Sequence, residues 1–502
     1  MLYGKHQDLQ TSEMKKYIFL AILLISNLAA CLPAPGLSTP GLNPLPTVTP
    51  PYLNQPTPLP ARPTYKPGEL VSYTAQNGDT LPALAAHFNT SLEEILNANP
   101  IIPADATTLP PGLPMEIPIY FRSYWGSPFK IVPDSHFING PAAAGFDTSA
   151  FISQRPGWLK NYNEYAAGDN RPAADIIDYV ALNFSVNPRV LLAVIEQQAG
   201  GLSDPNPPAS LANYPLGYRS PYHRGLYLQL VWAANTLNNG YYGWRSGSLV
   251  EFDHRDGTIE RPDPWQNAAS VGVQNLYRIL YYQPAYQAAT GPEGFASTYA
   301  RLFGNPWESD SPHIPGSLRQ PELLLPFQPG KTWAYTGGPH TGWGSGAPLA
   351  GIDFAPSTEQ SGCFLSNEWA TALADGLVTR AEPGALMLDL DGDGDERTGW
   401  VIFYLHIEGR DLAKVGTLVK AGDPLGHPSC EGGTSTGTHI HMARKFNGEW
   451  LAADSALPFV MEGWTPHNGD QEYQGSLTRY GVTITACECA TQETFIKSER
   501  EE

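Results

Sequence analysis

Apolar positions recur along this chain in two rhythms, and the change of rhythm divides it. Between residues 153 and 310 the spacing is helical. In Asp175–Phe184 the apolar residues at 176, 177, 180 and 184 form one stripe. Asn187-Pro188 opens the next helix, Arg189 to Gln198, which Gly200-Gly201 ends. Leu226–Leu237, Ala268–Tyr281 and Phe295–Phe303 continue the pattern. From about Leu323 the pattern shifts to short strands and Gly-rich turns. Val401–Ile407 is the clearest strand. Its alternation puts Val401, Phe403 and Leu405 on one face and Ile402, Tyr404 and His406 on the other. Gly437-Thr438-His439-Ile440-His441 reads as another, so His439 and His441 project side by side from one surface.

Upstream, residues 69–118 read strand, helix, helix, strand. Val71–Thr74 leads through a turn at Asn77-Gly78-Asp79 into the helix Ala83–Phe88, with Pro82 where a helix start tolerates it. Ser91 and Glu94 form a capping box for the next helix, with Leu92, Ile95 and Leu96 on its apolar face. From Leu32 to Pro67 there is no core-forming pattern. Pro, Leu, Thr and Gly dominate, which predicts an extended tether. Before it, Lys15-Lys16 precede the apolar run Tyr17–Ile25 and then Leu28-Ala29-Ala30-Cys31. This is the pattern of an export signal, too short for a comfortable membrane span, with Met14 as its expected start.

A length of 502 residues suits about three domains. Lys and Arg number 30 against 49 Asp and Glu, a net of −19, which argues against nucleic acid as a partner. Only 16% of residues are charged, while Gly and Pro number 49 and 48. That balance suits a loop-rich extracellular protein. In that compartment Cys363 and Cys430 could form a disulfide. Cys487 and Cys489 stand too close in sequence for an easy mutual bond, and the tail around them, 466–502, carries no readable pattern.

Several stretches resemble known families. Leu-Ala-Ala-Cys resembles a bacterial lipobox, which implies lipidation of Cys31 and a membrane anchor. Tyr-Thr-Ala-Gln-Asn-Gly-Asp-Thr-Leu, Asn97-Ala98-Asn99-Pro100 and the Gly-x-x-Met-x-Ile-Pro ending resemble a LysM module, which implies binding to N-acetylglucosamine-containing glycan. The helix from Asn187 to Gly200 resembles the opening of the lysozyme-like domain of soluble lytic transglycosylases. Gln198 and Ala199 stand where that family has its acid Glu and Ser. An amide cannot donate the proton that glycoside cleavage needs. Glu196 lies about 200° round the helix from that position. The resemblance therefore implies a degenerate domain that binds glycan or spaces the others.

Four segments, Gly337-Gly338-Pro339-His340, Gly351-Ile352-Asp353-Phe354-Ala355, Tyr404-Leu405-His406 and Gly437–His441, together resemble the lysostaphin-type zinc metallopeptidases that cut peptidoglycan cross-links. Leu349 stands four residues before Asp353, where the larger branch has its first ligand, and it cannot bind zinc. His340 matches the upstream ligand of the β-lytic, staphylolysin-like branch. The resemblance implies one Zn²⁺ held by His340, Asp353 and His441, the fourth position being kept for water. It implies His406 and His439 as the catalytic pair, without dividing their roles. His427 falls outside the set and reads as structural. Asp389, Asp391 and Asp393 resemble half of a Ca²⁺ loop, but Trp400 replaces the closing Glu. A hairpin turn is the preferred reading there, with Ca²⁺ the lesser alternative.

The expected organisation is multidomain: a signal peptide with lipobox (1–31), a Pro-rich linker (32–68), a βααβ LysM-like module (69–120) and a connector (121–152). An all-α lysozyme-like domain (153–315), a mainly antiparallel β peptidase domain (320–465) and a tail (466–502) follow. The expected activity is zinc-dependent hydrolysis of peptide cross-links, with the glycan and stem peptide of peptidoglycan as partners. The alternative is a catalytically silent wall-binding regulator of other hydrolases.

Overall fold

The computed structural model describes residues 64–499; the expected export signal, Cys31 and most of the expected tether lie outside the described residues. Among the described residues no helix is long and apolar enough to cross a membrane. Glu69–Thr74 (β1) pairs antiparallel with Pro114–Ile119 (β2), and Leu81–Phe88 (α1) and Leu92–Ala98 (α2) connect them. Thr80 caps α1, and the Ser91–Glu94 capping box starts α2. Leu84, Phe88, Ile95 and Ile117 make the small core. Leu92 is 39% exposed. Only Ile95 of this seven-residue helix is fully buried, because two turns over a two-stranded sheet leave one inward position.

The helical region is built around Ala173–Phe184 (α3), Pro188–Ala199 (α4), Gly225–Ser246 (α5) and Ala268–Leu280 (α6). Asn187 caps α4 and Gly200 ends it in the left-handed conformation. Helix α5 runs well past Leu237, where Asn238-Asn239-Gly240 interrupts the apolar stripe. It continues because α5 and α6 touch there. A Cβ on Gly240 would stand 2.8 Å from the Gly272 Cα, so the missing side chain permits the close approach. Tyr241, Tyr242 and Trp244 beyond it are buried.

The C-terminal half is built on one main antiparallel sheet. Its strands are Thr332–His340 (β3), Gly351–Pro356 (β4), Gly376–Glu382 (β5), Gly384–Asp389 (β6), Trp400–Ile407 (β7), Leu418–Val419 (β8), Ile440–Phe446 (β9) and Glu449–Trp450 (β10). Thr465–Asn468 (β11), Gly475–Arg479 (β12) and Val482–Thr485 (β13) make a separate three-stranded sheet. Phe495–Lys497 (β14) then returns to the main one, whose order is β8-β5-β6-β7-β9-β4-β3-β14, with β10 paired to β9. The tail is thus part of the β fold: β14 covers the β3 edge.

The two faces of this sheet belong to different cores. Ile352, Phe354, Ile402, Tyr404, Ile440 and Met442 point into a core of the β domain's own. Val401, Phe403, Ala443 and Trp450 point the other way and share a core with the helices. The helical and β regions are therefore joined through continuous apolar packing.

Where the LysM-like module, the helices and the sheet meet, a buried charge cluster stands beside aromatic contacts of His87 with Trp244 and Phe88 with Trp265. Arg245 on α5 bonds Glu449 on β10 at 2.9 Å and Asp134 at 3.0 Å. Tyr241 donates to Glu449 at 2.8 Å, His313 bonds it at 2.7 Å, and Arg245 also donates to the Asn77 carbonyl of the module. Burial alone would push the Glu449 carboxyl up. Arg245 and the hydrogen bonds from His313 and Tyr241 outweigh it and hold the group at about 2. Its folded value lies below its unfolded value of about 4.5, so its contribution is complete above that pH and is lost as pH falls towards 2. Glu449→Ala, which leaves Arg245 without this partner, is expected to cost about 3–5 kcal/mol. Denaturant unfolding at pH 7 checks this, and the difference between wild type and variant should shrink in acid.

Candidate metal centre

Three neighbouring strands of the sheet bring the site together. Asp353 on β4 lies directly opposite His441 on β9, and opposite Gly337 of β3 on its other side. His340 ends β3, where a register shift turns it towards the same point. All three side chains are buried, and one ligand atom from each lies within 4.8 Å of the others. His340 Nε2 is 2.8 Å from His441 Nδ1 and 3.3 Å from Asp353 Oδ1, and His441 Nδ1 is 3.1 Å from that oxygen. Gly351 makes room: a Cβ there would collide with the His441 ring.

Backbone carbonyls orient the four histidines. His340 Nδ1 donates to the Gly338 oxygen at 2.7 Å and His441 Nε2 to the Gly342 oxygen at 3.1 Å. His439 Nδ1 faces the Gly437 oxygen and His406 Nδ1 the Glu431 oxygen, both at 2.8 Å. A carbonyl oxygen only accepts, so each of these nitrogens carries the proton and the other nitrogen of each neutral ring presents a lone pair. At His340 and His441 those lone pairs converge on the Asp353 carboxylate. Two imidazole lone pairs and an anionic oxygen repel one another unless a positive charge lies among them. The donor set, two nitrogens and a carboxylate with their outer hydrogen bonds satisfied, fits a divalent metal ion.

The titration directions show Asp353 drawing positive charge to this point, which a proton on the facing histidine nitrogens supplies as a metal ion would. Burial pushes the Asp353 carboxyl up, but His340, His439 and the hydrogen bonds from His340 and His441 hold it well below the usual range. Burial pushes His340 down, and the Asp353 charge and hydrogen bond more than offset it, so it is raised. His441 is lowered, chiefly by burial. His406 is pushed down to about 4 by burial and by His439, which keeps it neutral at pH 7.

His406 and His439 stand together beside the triad, ring centroids 4.5 Å apart, and His439 Nε2 is 3.8 Å from Asp353 Oδ2. His439 and His441 share a face, as the alternation predicts. His406 does not keep the face that simple alternation assigns it. Its φ is +63°, and the pairing of β7 with β6 shifts register at Gly384. Ile407 takes the inward place beside Tyr404, and His406 turns out into the cleft that Leu405 also lines. A bulge of this kind re-aims a side chain. His427 lies outside the cleft, buried against Trp369 and bonded to the Glu368 oxygen.

The cleft above the triad encloses about 810 Å³. The Cys363–Cys430 disulfide is present, and Thr438 bonds Phe364 through both backbone groups of that residue, so the loops flanking His439 are cross-tied. Tyr473, from the tail, stacks on His340 with centroids 4.0 Å apart. Nothing in the local sequence around Tyr473 signals this, because the contact depends on how β11 and β12 return to β3. Cys487 and Cys489 are bonded to each other, contrary to expectation. A tight turn, in which Ala490 N–H bonds the Cys487 oxygen, sets their Cα atoms 5.0 Å apart, within bridging range. Asp389, Asp391 and Asp393 close the β6–β7 hairpin, their carboxylates accepting from the turn's own N–H groups and from Thr398. Glu196 is spent within the helical region, accepting from the Leu202 N–H at 2.9 Å.

The comparisons find bacterial proteases and metalloendopeptidases as relatives of this chain, with matches to both its helical and its β region. Residues 130–315 match the family described as LasA, N-terminal domain, and residues 73–118 match the LysM domain. The helical region thus matches a LasA N-terminal domain rather than a lysozyme-like one. The chain is 26% identical to Protease LasA of Pseudomonas aeruginosa over 341 residues, 64% of this chain and 75% of that protein. It is 27% identical to the β-lytic metalloendopeptidase of Lysobacter enzymogenes over 168 residues, 32% of this chain and 88% of that one. Among solved structures it is similar to the M23 metalloprotease pseudoalterin from the deep sea. That match has 24% identity and a TM-score of 0.28, covering 33% of this chain and 96% of that one.

Removing the inter-loop bond by Cys363→Ser with Cys430→Ser is expected to lower stability by about 4 kcal/mol, given a separation of 67 residues. Denaturant midpoints compared with and without reductant check the value, and hydrogen exchange should rise first in 431–438.

Proposed function

We propose that this chain is a zinc-dependent endopeptidase that cleaves the peptide cross-links of bacterial peptidoglycan. The observation that supports the reading best is the convergence of His340 Nε2, His441 Nδ1 and the Asp353 carboxylate on one buried point. These three would hold the metal. When bound, zinc supplies Lewis acidity, polarising the scissile carbonyl and acidifying a water to near neutral pH. His439 and His406 are the proton-handling pair. Each presents a lone pair on Nε2, because its Nδ1 proton is committed to a backbone oxygen. One takes a proton as the tetrahedral state forms, and protonated imidazole then serves the departing amine. The carbonyl bonds that fix both tautomers keep the rings from turning away.

The rest of the chain serves delivery. The LysM-like module (69–120) and the helical domain (153–315) hold glycan. The signal segment exports the chain, Cys31 carries the lipid, and the tether lets the peptidase (320–465) reach the wall.

Asp353→Ala and His441→Ala are expected to abolish release of new amino groups from purified sacculi and to lose the metal. His406→Ala and His439→Ala should keep the metal and lower kcat by roughly 10²–10⁴-fold. Chelation should stop the wild type and zinc restore it. New reducing ends in place of amines would point to a glycosidase, and metal binding without either product to a silent regulator.

A further inference from the structure

The cleft over the triad takes part of its lining from the tail: Tyr473, Glu488, Cys489 and Ala490. The bond between Cys487 and Cys489 closes a small loop with Glu488 as its one inner residue. Within it the Cys489 N–H meets the Cys487 Sγ at 3.1 Å, and the Ala490 N–H bonds the Cys487 oxygen at 3.2 Å. The loop is seated on the main sheet. The Cys487 N–H bonds the Tyr335 oxygen of β3 at 3.2 Å, and Tyr335 lies opposite Phe354, the neighbour of Asp353 on β4. Tyr473 is fixed to the same strand, its oxygen accepting from the Gly338 N–H at 2.8 Å. Glu488 is thus carried by a covalently closed turn based on the strand that ends in His340.

The Glu488 side chain is exposed and makes no ion pair or hydrogen bond among the described residues. Its charge reaches the Tyr473 hydroxyl, which burial, Asp353, Glu472 and Glu488 hold above its ordinary value. The carboxylate therefore stands near the ring that stacks on His340. Charge along the cleft is one-sided. Asp353, Glu359 and Glu488 line it, and among the described residues that do so none is Lys or Arg. In the metallopeptidase reading Asp353 spends its charge on the metal. Glu359 belongs to the exposed loop after β4, whereas Glu488 belongs to a braced turn. A cleft lined by one sign of charge concentrates ligands of the other. The scissile peptide group is neutral, so this field acts on what the peptide carries beside it. The cation that a peptide can bring is a primary ammonium, on the side chain of a diamino acid or at a free amino terminus.

We propose that Glu488 is a specificity residue of the peptidase cleft, pairing with a primary ammonium group of the peptide substrate beside the bond that is cut. The Cys487–Cys489 turn holds it in place. The inference rests on the peptidase reading above, and its test separates the two.

The full chain, loaded with zinc, is assayed on three forms of one cross-linked peptide. In the first both amines are acetylated, in the second the side-chain amine is free, and in the third the amino terminus is free. Wild type should cleave an amine-bearing form with a kcat/KM about three- to fivefold above that of the acetylated form. The favoured form identifies the source of the ammonium, and the preference should weaken with added salt. Glu488→Gln should bring the ratio close to one. Glu488→Asp, which keeps the charge, should retain part of it, and Glu359→Gln most of it. Thermal unfolding of each variant guards against misfolding. An acetylated form cut as fast as the others overturns the proposal, as does a preference that survives Glu488→Gln. So does an equal loss in Glu359→Gln, because the preference would then belong to the cleft's overall field. If wild type cleaves no form, the peptidase reading fails and binding tests the subsite. Calorimetry with the same peptides should then show tighter binding of an amine-bearing form, lost in Glu488→Gln. Equal affinities, or no binding, overturn it.

Discussion

Strand register carries this protein. Asp353 and His441 are Cα partners across β4 and β9, and Gly337 lies opposite Asp353 on β3, three residues before His340. A shift of one residue in any of these pairings would move a ligand from the buried cleft to the opposite core. That opposite core, with Ile352, Phe354, Ile440 and Met442 fully buried, is what forbids the shift. Burial of apolar side chains on one face thereby holds a carboxylate and two imidazoles together on the other, against their mutual repulsion as lone-pair bearers.

The same face does two jobs. Near the strand ends it carries the triad. Farther along, Val401, Phe403 and Ala443 pack against the helices. This continuity has consequences for the whole chain. The helical region cannot be a freely hinged neighbour, because separating it would expose an apolar sheet face. The module at 69–118 is fastened by aromatic contacts with Trp244 and Trp265 and by a buried polar cluster of Arg245, Glu449, His313 and the loop at Asn77. Apolar packing joins the helices to the sheet that carries the site, and aromatic contacts with a buried charge cluster join the LysM module to both.

Much of this was legible in the chain because it depends on near neighbours. The capping box at Ser91 and Glu94, the helices after Pro172 and Asn187, and the shared face of His439 and His441 follow from spacing alone. His340 was legible only by resemblance. Its place in the site arises from a register shift near the end of β3 that no local pattern announces. Simple alternation puts His406 on the wrong face for the same reason, since a bulge opposite Gly384 reverses the alternation after Leu405. The Cys487–Cys489 bond depends on a turn, and the continuation of α5 past Leu237 on the close contact of Gly240 with α6.

The sequence by itself determined the types and directions of the elements and the residues able to bind a metal. Periodicity and ligand chemistry are properties of a few neighbouring residues. Tertiary structure decided which of those residues meet and what surrounds them. Tyr473 lies on His340, Glu488 lines the cleft, and the tail closes the sheet edge. Each of these contacts joins residues far apart in the chain. Their geometry is set by packing two faces of one sheet at once, and no stretch of sequence contains that constraint.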